Sequence, residues 1–526
     1  MGDRAFAGVL TASFLVVAAL GALHHEMWRD ELHAWLVARD SASLWNVFQV
    51  TRYEAHFVLW RVLLFGITRC THNLLALQSF NLLLATTTIW IVARFSPFRR
   101  WEKCLLSFGY FFLYEYGVIA QDYNLIVLLM VSFCALYRRR GQYTLGLSAV
   151  LFLLANAAPY GLLIALVFSA LLVFDSTRNG ESPNLRMTPR GRVGAVIVLA
   201  GLAGATLQLF LMKAGPNTSW KHPLSAAGFL NTIVNVWRAY IPIAAGFPSL
   251  VQWEWGTNFI DGIAGGQFVK VGVALLLVVL SAGLLLKRPS ALFLYLVGVG
   301  TLVSIQFVVN VGAVRHKGFL FLLFIAALWI GSDSAQGQLS SVPLQWLGSI
   351  CNHWRNPLVG GLLAIQVVAA GYAYAADWCY PFSGSKQTAQ FLRDSGLWKL
   401  PIVGSPEARA APISAYLDKP IYYPESSRFG SYADLSRPLE EPPDPPTVQA
   451  VGRAFQLAVR KHQDVVLVFG YPVANFPKTG ARLESAPTVA DATGKPAPAV
   501  SATITVVKEC RSFIDEPYSV FLVRLD

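Results

Sequence analysis

Charge is what this chain has least of. Asp, Glu, Lys and Arg make up 14% of its 526 residues, against 55% hydrophobic, where soluble domains carry about 25% charged residues. With a mean hydropathy of +0.48 and long apolar runs, the ordinary soluble classes are excluded and a membrane protein is implied. Cysteine is scarce too. The six present form no C-x-x-C pair, so a structural zinc site has no support. No basic stripe is interleaved with aromatics, which removes nucleic acid as a partner. The net charge of +12 is read instead as positive-inside loops. No internal period signals a solenoid.

What is there is a series of apolar segments. A helix of about 20 apolar residues crosses the hydrocarbon core. Candidate spans fall at 5–23, 73–95, 103–120, 123–137, 143–157, 159–175, 193–212, 268–286, 291–311, 317–331 and 358–376. That is about eleven, several of them short. The first is read as an uncleaved signal-anchor, because so many spans follow it. Basic clusters at Arg94, Arg99, Arg100 and Lys103, at Arg138–Arg140, at Arg178, Arg186, Arg190 and Arg192, and at Lys287–Arg288 all fall on one side if the N-terminus is cytoplasmic. The C-terminus then lies outside. The apolar segment HFVLWRVLLFGITR (56–69) would invert that agreement if it crossed, so it is read as an interfacial or re-entrant helix within a long outer loop, 24–72. A second long outer loop, 213–267, contains PNTSW and the pair Trp253 and Trp255, read as interface anchors.

After Asp377 the composition turns polar and proline-rich. The sequence therefore divides into a membrane domain, 1–376, and a small outer α/β domain, 377–526. LPIVG (400–404), DVVLVFG (464–470) and YSVFLVRL (518–525) predict buried strands, TVQAVGRAFQLAVRKH (447–462) an amphipathic helix, and EEPPDPP (440–446) a loop. Cys379 and Cys510 both fall on the oxidising side in this topology, and a disulfide between them is expected.

Candidate chemistry clusters at the outer boundary. In HHEMWRDELHAWLVARDS, Trp28, Leu32, Trp35 and Leu36 form an apolar stripe at helical spacing. At ~100° per residue Asp30 lies almost opposite that stripe, Glu31 on its flank, and His33 about 60° from Asp30. Adjacent carboxylates on a helix do not converge on one atom, so divided roles are implied if they act; spacing alone favours a solvated polar face. Gln121–Asp122, between two adjoining spans, places an ionisable group at the membrane boundary, where it is either a helix cap or a functional group. Glu115 needs a partner, for which Arg61 is available. Arg315, His316 and Lys317 form an outer cationic cluster suited to a lipid phosphate or to snorkelling. His56 is a further candidate.

These features, in this order, resemble the GT-C class of membrane glycosyltransferases, which includes the protein O-mannosyltransferases, the lipid A aminoarabinose transferase and the oligosaccharyltransferase catalytic subunit. The resemblance spans roughly 1–376 and is carried by WRDELHAWLVARDS, EAHFVLWRVLLFGI, AQDYNLIVLL and VRHKGFLFLLF. EAHF lacks the prolines of the family's motif, and Gln121–Asp122 is not a full D-x-D. The resemblance implies a polyprenyl-phosphate sugar donor, a lipid, glycan or protein acceptor, and inverting transfer on the outer face of a bacterial inner membrane. In that scheme Asp30 is the general base, Glu31 supports it, Arg315 with His316 or Lys317 stabilises the leaving phosphate, and His56, Gln121 and Asp122 bind substrate, with a divalent metal ion left open. A transporter and a non-catalytic membrane scaffold are the alternative classes.

Overall fold

The computed structural model describes residues 2–54, 56–178, 188–213, 224–245, 258–262, 266–309, 312–334, 337, 341–436, 446–473, 481–484, 501–512 and 516–526. The PNTSW loop, Trp253, Trp255 and most of EEPPDPP lie outside these residues.

Among the described residues, eight helices are long and apolar enough to cross a membrane: Asp3–His24, Leu75–Phe95, Pro159–Arg178, Pro189–Leu211, Gly266–Leu285, Pro289–Val308, Val314–Asp333 and Arg355–Cys379. Their outward faces carry exposed Val9, Val16, Leu20, Val196, Leu199, Phe210 and Phe268, apolar surface that hydrocarbon satisfies and water does not. Val314–Asp333 is different. It is buried along nearly its whole length and forms the axis of the bundle. Pro189–Leu211 sits at the edge, with only Gly194, Gly201 and Ala205 buried among its residues. There a Cβ on Gly201 would come within 2.7 Å of Phe152 Cα, so the small residue is what lets that helix close on Thr144–Ala157.

The eleven expected spans are not all present as long helices. Tyr123–Tyr137 and Thr144–Ala157 are apolar but short. The 103–120 segment is broken: Arg100–Ser107 is α-helical, and Phe111–Val118 is a π-helix. Hydropathy registers an apolar stretch without registering a break in its hydrogen-bond ladder, which is why the sequence showed one span here. The 56–69 segment forms a ten-residue helix, Leu59–Thr68, about 15 Å long and too short to cross.

The last part of the chain builds a seven-stranded sheet from β1 (Ile402–Ser405), β2 (Ile421–Tyr423), β3 (Arg428–Gly430), β4 (Val465–Phe469), β5 (Ala481–Glu484), β6 (Ser501–Cys510) and β7 (Tyr518–Leu525), in the order β3-β2-β1-β4-β7-β6-β5. β1 pairs in parallel with β2 and β4; the other pairs are antiparallel. Val466 and Val468 face one core with Leu392, Ile413 and Leu417; Val465, Leu467 and Phe469 face another with Ala454 and Leu457 of the Pro446–Lys461 helix. Burial on both faces explains the unbroken apolar run VVLVF.

In the helix Arg29–Asp40, Glu31, Leu32 and the run Ala34–Arg39 are buried. Leu32, Trp35 and Leu36 pack on Trp60, Leu64 and Leu77 and, through Ala411 and Ala415, on the sheet unit. Arg39 Nη1 donates to Asp418 at 2.8 Å, and Ser431 hydrogen-bonds Asp40. The helix is thus clamped between the two parts of the molecule. The cysteine expectation is also corrected. Cys379 is an exposed free thiol at the end of its helix, while Cys510 is a free thiol buried in the sheet core beside Ala389, Leu392 and Tyr518. Neither thiol is paired, so no bridge joins them.

Candidate active site

The site begins where the first span ends. His25 stands between two carboxylates: Nδ1 is 2.6 Å from Asp377, and Nε2 is 3.0 Å from Glu31. Burial opposes charge on this ring, but Asp377 and then Glu31 outweigh it and raise its pKa to about 10. Glu31 is committed elsewhere as well. Oε2 accepts from the Trp28 N–H at 3.2 Å, capping the helix, and Oε1 accepts from the Ala120 N–H at 2.6 Å. Glu31 therefore does not reach the cavity. Its role is to tie the start of Arg29–Asp40 to the segment that delivers Gln121 and Asp122. That segment is held from the other side by Asn81, whose Nδ2 donates to the Tyr116 and Gly117 carbonyls at 3.2 and 3.0 Å, taking up groups at the end of the π-helix.

With Glu31 turned inward, Asp30 faces a cavity of about 290 Å³ lined by Arg29, Asp30, His33, Glu54, His56, Arg61, Gln121, Asp122 and Arg315, and on the sheet side by Ala408, Ala433 and Leu435. The Asp30 side chain is 36% exposed. Its Oδ2 accepts from Arg315 Nη2 at 2.8 Å. The Arg315 guanidinium lies 5.4 Å from the Trp28 ring centre and 5.9 Å from that of Tyr123, contacts that set its position as well as its charge. His56 Nδ1 is 3.1 Å from Asp122 Oδ2. Gln121 Nε2 is buried and has no hydrogen-bond partner among the described residues.

A second charged group forms the far wall. His33 Nε2 is 2.9 Å from Glu54 Oε1, and Arg61 pairs with the other Glu54 oxygen. Burial pushes the Glu54 carboxyl up, but Arg61 and then His33 outweigh it and hold its pKa at about 2. Arg61 is thus the partner of Glu54 and not of Glu115, which instead accepts from the Tyr110 hydroxyl at 2.9 Å. Behind Arg29, the buried Glu516 accepts from the Arg29 N–H at 3.1 Å and from the Ser383 hydroxyl at 2.7 Å. Burial raises its pKa to about 7 despite Arg29 and Ser383.

Of the residues anticipated from sequence, Asp30, His56, Gln121, Asp122 and Arg315 line one cavity although they come from four separate segments. Glu31, His316 and Lys317 do not line it. His316 Nδ1 accepts from the Ala313 N–H at 2.9 Å, and Nε2 is 2.8 Å from the Tyr123 hydroxyl, so the ring supports the aromatic that packs on Arg315. Lys317 is buried. Successive helical residues point ~100° apart, and only one of the three cations faces the cavity. Sequence reading missed Arg29, Glu54 and the three sheet-unit residues. The signal for Glu54 was present: an acid, a histidine and an arginine at 54, 56 and 61 within an otherwise apolar run. Among the described residues, no three His, Cys, Asp or Glu side chains converge as a metal-binding group; His56 and Asp122 supply two donors side by side.

No protein-family profile matches the chain, and no curated protein matches it. Among solved structures, the chain is similar to ArnT from Cupriavidus metallidurans bound to undecaprenyl phosphate, with 13% identity over 99% of this chain and 98% of that one and a TM-score of 0.48.

Proposed function

We propose that this chain is an integral membrane glycosyltransferase of the GT-C type, moving a sugar from a polyprenyl-phosphate donor to an acceptor hydroxyl. The observation that carries the reading is the Asp30–Arg315 pair in a cavity where one wall comes from the helix bundle and the other from the sheet unit. A transfer of this kind needs a base for the acceptor proton and a cation for the departing phosphate within reach of one sugar carbon. Asp30 and Arg315 meet both needs. The acceptor oxygen attacks the anomeric carbon as its proton passes to Asp30. The bond from that carbon to the phosphate oxygen breaks, and the lipid phosphate leaves with the electron pair beside Arg315. One displacement inverts the anomeric centre.

The ion pair adds a coupling. A donor phosphate that takes over Arg315 frees the Asp30 oxygen that this contact holds, leaving it to the acceptor hydroxyl. His56, Asp122 and the unpartnered Gln121 amide are the groups for sugar hydroxyls. No step is routed through a metal. Glu31 and His316 are positioning residues in this scheme. The chain is placed in a bacterial inner membrane with the cavity on the outer side, on the strength of the basic loops. A transporter reading is disfavoured because the cavity's charged groups gather at one end of the bundle instead of along a path through it.

The test is transfer of labelled sugar from a synthetic polyprenyl-phosphate donor by protein in vesicles. Asp30→Asn is expected to lower kcat by roughly 10²- to 10⁴-fold while donor binding persists. Unchanged turnover in that variant removes Asp30 as the base.

A further inference from the structure

A second cavity lies at the opposite end of the bundle. The Val314–Asp333 helix carries Arg315 into the candidate active site at its start. It runs 20 residues, about 30 Å, to Trp329 and Asp333, which line a groove of about 840 Å³. Tyr123–Tyr137 runs the same way, from Asp122 to Arg138. The groove is apolar on its bundle side, where Leu136 faces it, and cationic at its mouth, where Arg94, Arg138 and Arg139 gather. Asp333 is the one carboxylate among the described residues that line it, 3.6 Å from Arg138. Arg94 and Arg139 have no ion pair among the described residues. Three arginines against one aspartate leave an excess of positive charge over an apolar slot.

We propose that this groove binds an anionic phospholipid of the leaflet opposite the active site, with the phosphodiester among Arg94, Arg138 and Arg139 and an acyl chain along Leu136 toward Trp329. Charge complementarity selects the occupant. A phosphodiester accepts the guanidinium forks, and basic pockets between spanning helices suit anionic headgroups. A zwitterionic headgroup would bring its own ammonium against the same arginines. The ordinary reading of these arginines as orienting charges accounts for their side of the membrane but not for a groove beneath them.

Trp329 is the reporter. The full-length protein is reconstituted in vesicles containing either phosphatidylglycerol or phosphatidylcholine with brominated acyl chains. The emission component lost in Trp329→Phe is compared between the two. Stronger quenching by the brominated anionic lipid is expected. The triple variant Arg94→Gln, Arg138→Gln, Arg139→Gln is expected to reduce that preference roughly 10- to 100-fold, and the matching triple Lys variant to retain it. Should the Gln triple fail to purify, Arg139→Gln alone, at an exposed position, must lower the ratio. Equal quenching by the two lipids in the natural protein, or a preference unchanged in the Gln variants, overturns the proposal. Neither result bears on sugar transfer, which the vesicle assay reads separately.

Discussion

Arg61→Gln isolates the electrostatics of the far cavity wall. Glu54 and Arg61 are both almost fully buried, and the Glu54 carboxyl is lowered from 4.5 to about 2. A fall of that size corresponds to roughly 3 kcal/mol of preference for the charged form in the folded state. The sign follows from a depressed folded pKa: the contribution is fully present above pH 4.5 and is lost as pH falls toward 2. Removing Arg61 leaves Glu54 with His33 and the weaker pull of His56 against the burial that opposes its charge, so its pKa rises. The loss of stability is then of the order of 3 kcal/mol at pH 7.5 and smaller at pH 5, where Glu54 can take up a proton. Removing both charges with Glu54→Gln and Arg61→Met should recover much of the loss, because no buried charge is left unpaired. The assay is thermal unfolding of the detergent-solubilised protein at the two pH values, read by scanning fluorimetry. An Arg61→Gln deficit equal at both pH values, or no deficit at all, refutes the reasoning.

Other expectations follow from neighbouring groups. Asp122→Asn keeps the shape of the His56 contact but removes its charge, and should raise the KM for donor or acceptor by roughly 10-fold with a smaller change in kcat; an unchanged KM would remove Asp122 from substrate binding. Glu516 has a folded pKa of about 7, raised from 4.5. It therefore costs stability as pH rises from 4.5 to 7, and Glu516→Gln should flatten the melting-temperature profile over that interval; a profile that keeps its slope contradicts this. Cys70 and Cys379 are exposed free thiols and Cys510 is buried. A membrane-impermeant maleimide should label the first two from outside intact cells and leave Cys510 unlabelled until the protein is unfolded. Labelling of Cys379 only after the membrane is opened would reverse the proposed orientation.

Composition alone established the class of this protein, because spanning a membrane constrains every residue of a helix in the same direction. The strands β1, β4 and β7 and the helix Pro446–Lys461 were legible for a related reason: burial of a whole strand, or of one helix face, writes a period into the sequence. Asp30, Asp122 and Arg315 stood out because each is an ionisable group beside an apolar run. The short strands β2, β3 and β5 leave no such period, and in β6 only residues 501–504 alternate in burial.

The assignment of roles within the site belonged to the tertiary structure. From sequence, Asp30 and Glu31 are neighbours of equal chemistry, and Arg315, His316 and Lys317 a single basic cluster. Which of them faces the cavity depends on the rotation of each helix, and that is set by contacts with distant segments: Ala120 and His25 holding Glu31, Tyr123 engaging His316, and Trp28 beneath Arg315. The same holds for the helix Arg29–Asp40, which resembles a surface helix by its own pattern and is buried because the sheet unit covers it. Periodicity reports that a face is apolar or polar. Only the packing of the whole chain decides what that face meets.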